Sequence, residues 1–147
     1  MTSIEAGSDA AKRILIVEDN DLNMRLLKDV LEAQGYCVAA IGEGALAVDL
    51  ARRFRPDLIL LDIQLPDISG LEACRRLKQD AATQDIPVVA VTAFAMAGDE
   101  RRARDSGCDG YVTKPIMLPP FLAMISKLVG SSAIGMPLFP AARAAAG

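Results

Sequence analysis

The sequence predicts one α/β domain: a doubly wound sheet of five parallel strands in the order 2-1-3-4-5, with helices on both faces. Five short apolar runs alternate with five stretches of helical periodicity. Such alternation implies right-handed crossovers and a parallel sheet. The strand runs are continuously apolar rather than alternating, as in strands covered on both faces. The order 2-1-3-4-5 is one of the common doubly wound orders.

Residues 1–11 read as a disordered lead-in, small and acidic, without the basic and apolar regions of a secretory signal. Arg13-Ile14-Leu15-Ile16-Val17 is the first strand, ending in Glu18-Asp19-Asn20. Asn20 or Asp21 caps the next helix, where Leu22, Leu26, Leu27, Val30 and Leu31 keep helical spacing and Gly35 closes it. Tyr36 to Ile41 is the second strand. Gly42-Glu43-Gly44 then turns into a helix carrying Leu46, Val48, Leu50 and Phe54. Leu58-Ile59-Leu60-Leu61-Asp62 is the third and central strand, preceded by Pro56 and followed by a loop rich in Pro and Gly. Gly70 to Lys78 is a helix and Gln79 to Asp85 a loop. Pro87 to Thr92 is the fourth strand, and Ala95 to Asp105 a helix with few large apolar residues, hence weakly anchored. Asp109 to Thr113 is the fifth strand, followed by Lys114-Pro115. A last helix runs from about Pro119 to Val129, with Phe121, Ile125, Leu128 and Val129 toward the core. The domain thus spans residues 12–130. Residues 131–147 lack helical periodicity and read as a disordered tail, or as one with a short docking segment at Met136-Pro137-Leu138-Phe139.

Bulk composition removes several function classes. A net charge of -3 gives no basic footprint for DNA. No apolar stretch reaches the ~18 residues a membrane span needs. Three cysteines, odd in number and without metal spacing, read as reduced core thiols in a cytoplasmic protein. There is no histidine, so the chain carries neither an imidazole ligand nor a phosphohistidine.

With the strands parallel, their carboxyl ends converge on one crevice. The first delivers Glu18 and Asp19, the third Asp62, the fourth Thr92 and the fifth Lys114. Taken singly, each has a plainer reading. Asp62 caps a turn, Glu18-Asp19 starts a helix, and Lys114 is a surface lysine. Together they do not. The first and third strands are neighbours, and two carboxylates about 4 Å apart repel by ~4 kcal/mol at an effective dielectric near 20. A cation resolves this. Oxygen ligands without His or Cys suit Mg²⁺, or Mn²⁺ in its place, held by Glu18, Asp19, Asp62 and the backbone carbonyl of Gln64. Mg²⁺, an aspartate, a hydroxyl and an ammonium form a phosphoryl-transfer set, with Asp62 as nucleophile and Lys114 and Thr92 facing the phosphoryl oxygens. Pro115 holds Lys114 extended; the isomer of that peptide stays open.

At these residues the chain resembles the receiver domain of two-component response regulators, a (βα)5 flavodoxin-like fold. The matching stretches are Ile14-Leu15-Ile16-Val17-Glu18-Asp19-Asn20, Pro56 to Asp62, Leu65-Pro66 with Ser69-Gly70, Val91-Thr92-Ala93 and Thr113-Lys114-Pro115. A nearer resemblance, to single-domain regulators of cell division, rests on Leu31-Glu32-Ala33-Gln34-Gly35-Tyr36, Asp62-Ile63-Gln64-Leu65-Pro66 and Ile86 to Met96. The resemblance implies that Asp62 takes its phosphoryl group from the phosphohistidine of a separate sensor histidine kinase (which also serves as phosphatase) or of a phosphotransfer protein. It implies that Thr92 moves toward the phosphoryl group and that Tyr111 turns inward behind it, although Tyr111 also reads as a half-buried strand tyrosine. No effector domain follows residue 130, so output is expected by protein contact through the Ala95 to Val129 face. Asn20, Asn23, Pro115 and Ile116 rim the site as docking positions for the kinase.

Three rivals use the same residues differently. A haloacid-dehalogenase-like phosphatase needs a second aspartate two residues after the nucleophile, where this chain has Gln64, which cannot serve as acid or base. A dinucleotide-binding domain would use Gly42-x-Gly44-x-x-Ala47 with Asp62 as the ribose carboxylate. A degenerate receiver would bind partners without being phosphorylated.

Overall fold

A computed structural model describes residues 11–93 and 97–130 of the chain. The lead-in before Ala11, residues 94–96, and the tail from 131 with its Met136 to Phe139 segment lie outside the described residues; the helix expected from Ala95 begins at Asp99, after Gly98 in the left-handed region ends any earlier turn. The elements are β1 (Arg13–Val17), α1 (Asp21–Ala33), β2 (Cys37–Ile41), a 3-10 turn (Gly44–Leu46), α2 (Ala47–Phe54), β3 (Leu58–Asp62), α3 (Gly70–Gln79), β4 (Val88–Thr92), α4 (Asp99–Asp105), β5 (Gly110–Thr113) and α5 (Leu118–Gly130). The sheet order is β2-β1-β3-β4-β5 and every neighbouring pair is parallel, the predicted 2-1-3-4-5 arrangement.

Alternate residues of each strand enter different cores. Leu15, Val17, Ile59, Leu61, Val88, Ala90 and Tyr111 face α2, α3 and α4, meeting Ala47, Ala51, Ala73, Cys74, Leu77 and Ala103. Ile14, Ile16, Leu58, Leu60, Val89, Val91 and Val112 face α1 and α5 through Leu27, Leu31, Phe121, Ile125 and Leu128. Every residue of β3 and β4 is buried, as their continuously apolar sequences require. Each fully buried Leu or Ile contributes roughly 1.5–3 kcal/mol.

Helix starts follow local chemistry. The Asn20 side chain accepts the Asn23 N–H at 2.9 Å, and Ser69 Oγ accepts the Glu72 N–H at 3.1 Å. Gly70 joins β3 to α3 at very close range: a Cβ there would lie 2.1 Å from the Asp62 carbonyl oxygen. Only glycine lets the α3 start approach the strand end that carries Asp62.

Some expectations change. Leu22 and Leu26 keep helical spacing but are 66% and 55% exposed, since the sheet covers only the Leu27–Leu31 side of α1. Leu46 sits in the 3-10 turn and is exposed. Cys37 is not a core thiol; it is exposed, while Cys74 and Cys108 are buried. The weak anchoring expected of α4 is seen: of its seven residues only Ala103 is buried. No helix among the described residues is long and apolar enough to cross a membrane.

Candidate phosphoryl-acceptor site

The pairing of β1 with β3 sets Val17 opposite Leu61. The next residues, Glu18 just past β1 and Asp62 at the end of β3, therefore lie side by side at the edge of the sheet. Glu18, Asp19 and Asp62 each bring a carboxylate oxygen within 4.8 Å of the other two. Glu18 and Asp62 are buried, 3% and 5% exposed, and Asp19 is exposed. The arrangement fits a hard divalent cation: oxygen donors from two adjacent strand ends, mostly out of water, with no nitrogen or sulfur ligand among them.

Lys114 reaches the pair from β5. Its Nζ lies 3.0 Å from Glu18 Oε1 and 3.5 Å from Asp62 Oδ2. Its own N–H donates to the Thr92 carbonyl at 2.8 Å, and the Lys114–Pro115 peptide is cis. Thr92 ends β4 and is buried. The two carboxylates are held locally as well. The Gln64 N–H donates to Asp62 Oδ1 at 2.8 Å, and the Asn20 N–H donates to Glu18 Oε2 at 3.1 Å. Burial pushes the Asp62 carboxyl up from 3.8 to about 6; the Gln64 N–H opposes this, the neighbouring Glu18 adds to it, and Lys114 draws it back.

Asp19, Glu18, Asp62, Thr92 and Lys114 thus lie at one edge of the sheet, as the strand ends required. Gln64 backs Asp62 through its N–H. Tyr111 lies 4% exposed in the core under α4, and its hydroxyl is buried without a hydrogen-bond partner among the described residues. Burial raises its pKa above the usual phenol value, and the charges of Asp99 and Glu100 raise it further. Asn23, Pro115 and Ile116 line a groove of about 340 Å³ beside Lys114, together with Leu26, Leu27, Val30 and Leu118. Asn20 does not line it; its side chain caps α1.

Two features escaped the sequence reading. Lys114 is nearer Glu18 than Asp62, a pairing across 96 residues that no local pattern signals. Asp67, in the loop after β3, accepts the Gly44 and Ala45 N–H groups at 3.0 and 2.8 Å. These donors hold its carboxyl below the usual carboxylate range. They also argue against the dinucleotide reading. The N–H groups that would face a pyrophosphate already hold a carboxylate. In addition β2 is separated from the Asp62 strand by β1 rather than adjacent to it.

Comparison with known proteins agrees with this geometry. Residues 14–126 match the model of the response regulator receiver domain. The polar-differentiation response regulator DivK of Brucella anthropi is 53% identical over 121 residues, covering 82% of this chain and 98% of that protein. Its counterpart in Brucella ovis is 52% identical over the same shares. Among solved structures, the receiver domain of the Pseudomonas aeruginosa sensor histidine kinase PA1611, with a magnesium ion coordinated in its active-site cleft, is 32% identical. Its TM-score is 0.76, over 82% of this chain and 99% of that one. A CheY-like receiver from Methanospirillum hungatei is 26% identical at a TM-score of 0.77, over 83% and 96%. With its fold, its acidic strand ends and four-fifths of its length in agreement, the chain belongs to the response regulator receiver family and is closely related to DivK.

Proposed function

We propose that the protein is a phosphorelay receiver that accepts a phosphoryl group on Asp62 and passes the signal on by protein contact, in the control of cell division or polar differentiation. The observation that carries the reading is the gathering of Glu18, Asp19 and Asp62 within 4.8 Å beside the Lys114 ammonium. The donor is the phosphohistidine of a sensor histidine kinase or phosphotransfer protein, which agrees with a chain that has no histidine of its own. An Asp62 carboxylate oxygen attacks phosphorus, the phosphorus–nitrogen bond breaks, and the imidazole leaves. Glu18, Asp19, Asp62 and the Gln64 carbonyl would hold Mg²⁺ or Mn²⁺, which supplies charge neutralisation at the phosphoryl oxygens. Lys114 turns from Glu18 to one of those oxygens, and the Thr92 hydroxyl donates to another.

The new group brings roughly -1.5 to -2 charges and three acceptors to the edge beside α4. Thr92 and Tyr111 form the switch, and the thin anchoring of α4 makes it the element such a charge biases. Output runs through the face of α4, β5 and α5. The groove at Asn23, Pro115 and Ile116, with Asn20 at its margin, seats the donor.

Labelling with a small acyl phosphate and Mg²⁺ tests the reading. The full chain should gain the mass of one phosphoryl group and Asp62→Asn none; equal labelling of both would overturn it. Substituting Asn23 and Ile116 together should slow transfer from a phosphohistidine protein and leave acyl-phosphate labelling unchanged. Steady hydrolysis of phosphate monoesters would instead favour the phosphatase reading.

A further inference from the structure

Two buried thiols take no part in this chemistry. Cys74 on α3 and Cys108, in the turn between α4 and β5, are 0% and 3% exposed, and their sulfurs lie 3.3 Å apart. The third cysteine, Cys37, is exposed on the edge strand β2. A disulfide has its sulfurs about 2.0 Å apart, roughly 1.3 Å closer than these two.

The two thiols are inequivalent. Cys108 donates its hydrogen to Cys74 Sγ. That contact, with the charges of Lys78 and then Arg75 on the same helix, draws Cys74 below the usual thiol range, against burial and the charge of Asp109; Cys74 Sγ in turn donates to the Ser106 carbonyl at 3.4 Å. The same contact and burial raise Cys108. Both cations are fixed in place: Lys78 Nζ meets Asp109 Oδ2 at 2.9 Å and Arg75 Nη1 donates to Ser106 Oγ at 2.9 Å. The cover is thin. The Cys108 N–H bonds to the carbonyl of Ala103, the one buried residue of α4. A small oxidant would reach the pair through local opening of the weakly anchored α4.

We infer that Cys74 and Cys108 are a reversible disulfide site, a peroxide-responsive clasp between α3 and the turn leading from α4 into β5. The Cys74 thiolate attacks a peroxide oxygen, the O–O bond breaks, and hydroxide leaves to become water, giving a sulfenic acid. Cys108 sulfur then attacks Cys74 sulfur, the S–O bond breaks, and a second water departs with the Cys108 proton. Two thiols and one hydrogen peroxide become one disulfide and two waters. The bond ties down the chain three residues before Tyr111, so oxidation restrains the α4–β5 segment whether or not Asp62 carries a phosphoryl group.

The test uses the reduced full chain treated with hydrogen peroxide, then denatured and alkylated. Cleavage after Lys and Arg places the three cysteines in three different peptides. The expected result is loss of two of the three alkylatable thiols, a Cys74–Cys108 linked peptide, no covalent dimer, and recovery with dithiothreitol. Backbone amides from Ala103 to Tyr111 should exchange more slowly in the oxidised form. Cys37→Ser should behave as the parent, whereas Cys108→Ser should give a Cys74 sulfenic acid trapped by dimedone. The mapping of the unsubstituted chain needs no variant to fold. Retention of all three thiols, a linkage through Cys37, or oxidation of the pair only after denaturation would overturn the assignment.

Discussion

Asp62→Asn should make the metal-free protein more stable, by about 2–3 kcal/mol at pH 7.5. Two unit charges 4.8 Å apart repel by about 3.5 kcal/mol at an effective dielectric of 20. Asp62 lies within that distance of Glu18 in a buried setting, and of Asp19 in a solvated one. Lys114 at 3.5 Å returns about 4.7 kcal/mol, but shares its charge with Glu18. The balance, with burial, moves the carboxyl from 3.8 to about 6. At 1.36 kcal/mol per unit, the charged form costs the fold about 3 kcal/mol. Asparagine keeps an oxygen for the Gln64 N–H and drops the charge. Between pH 4 and 6 the folded parent holds a proton that the unfolded chain has lost, so parent stability rises as pH falls through that window. The gap between the proteins should therefore be about 10 °C in melting temperature at pH 7.5 in EDTA and close near pH 4. Millimolar Mg²⁺ should also narrow it by stabilising the parent. Melts followed by circular dichroism from pH 4 to 8 read both effects. Equal melting temperatures in EDTA at pH 7.5, or a gap that does not change with pH, would refute the electrostatic account of the site.

Lys114→Met leaves the Glu18 charge, 3% exposed, without its cation; denaturant titration should show a loss of about 3–5 kcal/mol. Acyl-phosphate labelling should fall with it. Gly70→Ala drives a Cβ into the Asp62 carbonyl. The β3–α3 junction must shift, and both melting temperature and labelling should drop together, whereas a change in stability alone would place the junction outside the chemistry. Ser69→Ala removes the cap on the Glu72 N–H and should cost about 1 kcal/mol in chemical denaturation, with labelling retained.

The strands were legible because both their faces are covered. Leu58 to Leu61 and Val88 to Val91 show no alternation, as short strands covered on both faces do, and the helical stretches between them point to a parallel sheet. The site followed at once, since Glu18, Asp62, Thr92 and Lys114 end or directly follow their strands, and topology alone makes β1 and β3 neighbours. What stayed hidden depends on distance and on how much of a helix the sheet covers. Nothing near Asp67 in sequence points to Gly44, and nothing near Cys74 points to Cys108; both pairings arise only after α2, α3 and α4 settle on one face. The apolar stripe of α1 is wider than the surface that covers it, which is why Leu22 and Leu26 keep helical spacing and still meet water.

The sheet also works as a partition. Because neighbouring strand residues enter different cores, Leu60 abuts the compartment of α1 and α5, while Leu61, one step along the backbone, abuts that of α2, α3 and α4. Odd and even positions in one strand thus address different audiences. A conservative change at Leu60 or Val89 should trouble the side where the groove is built. The same change at Leu61 or Ala90 should be felt beneath α2, α3 and α4.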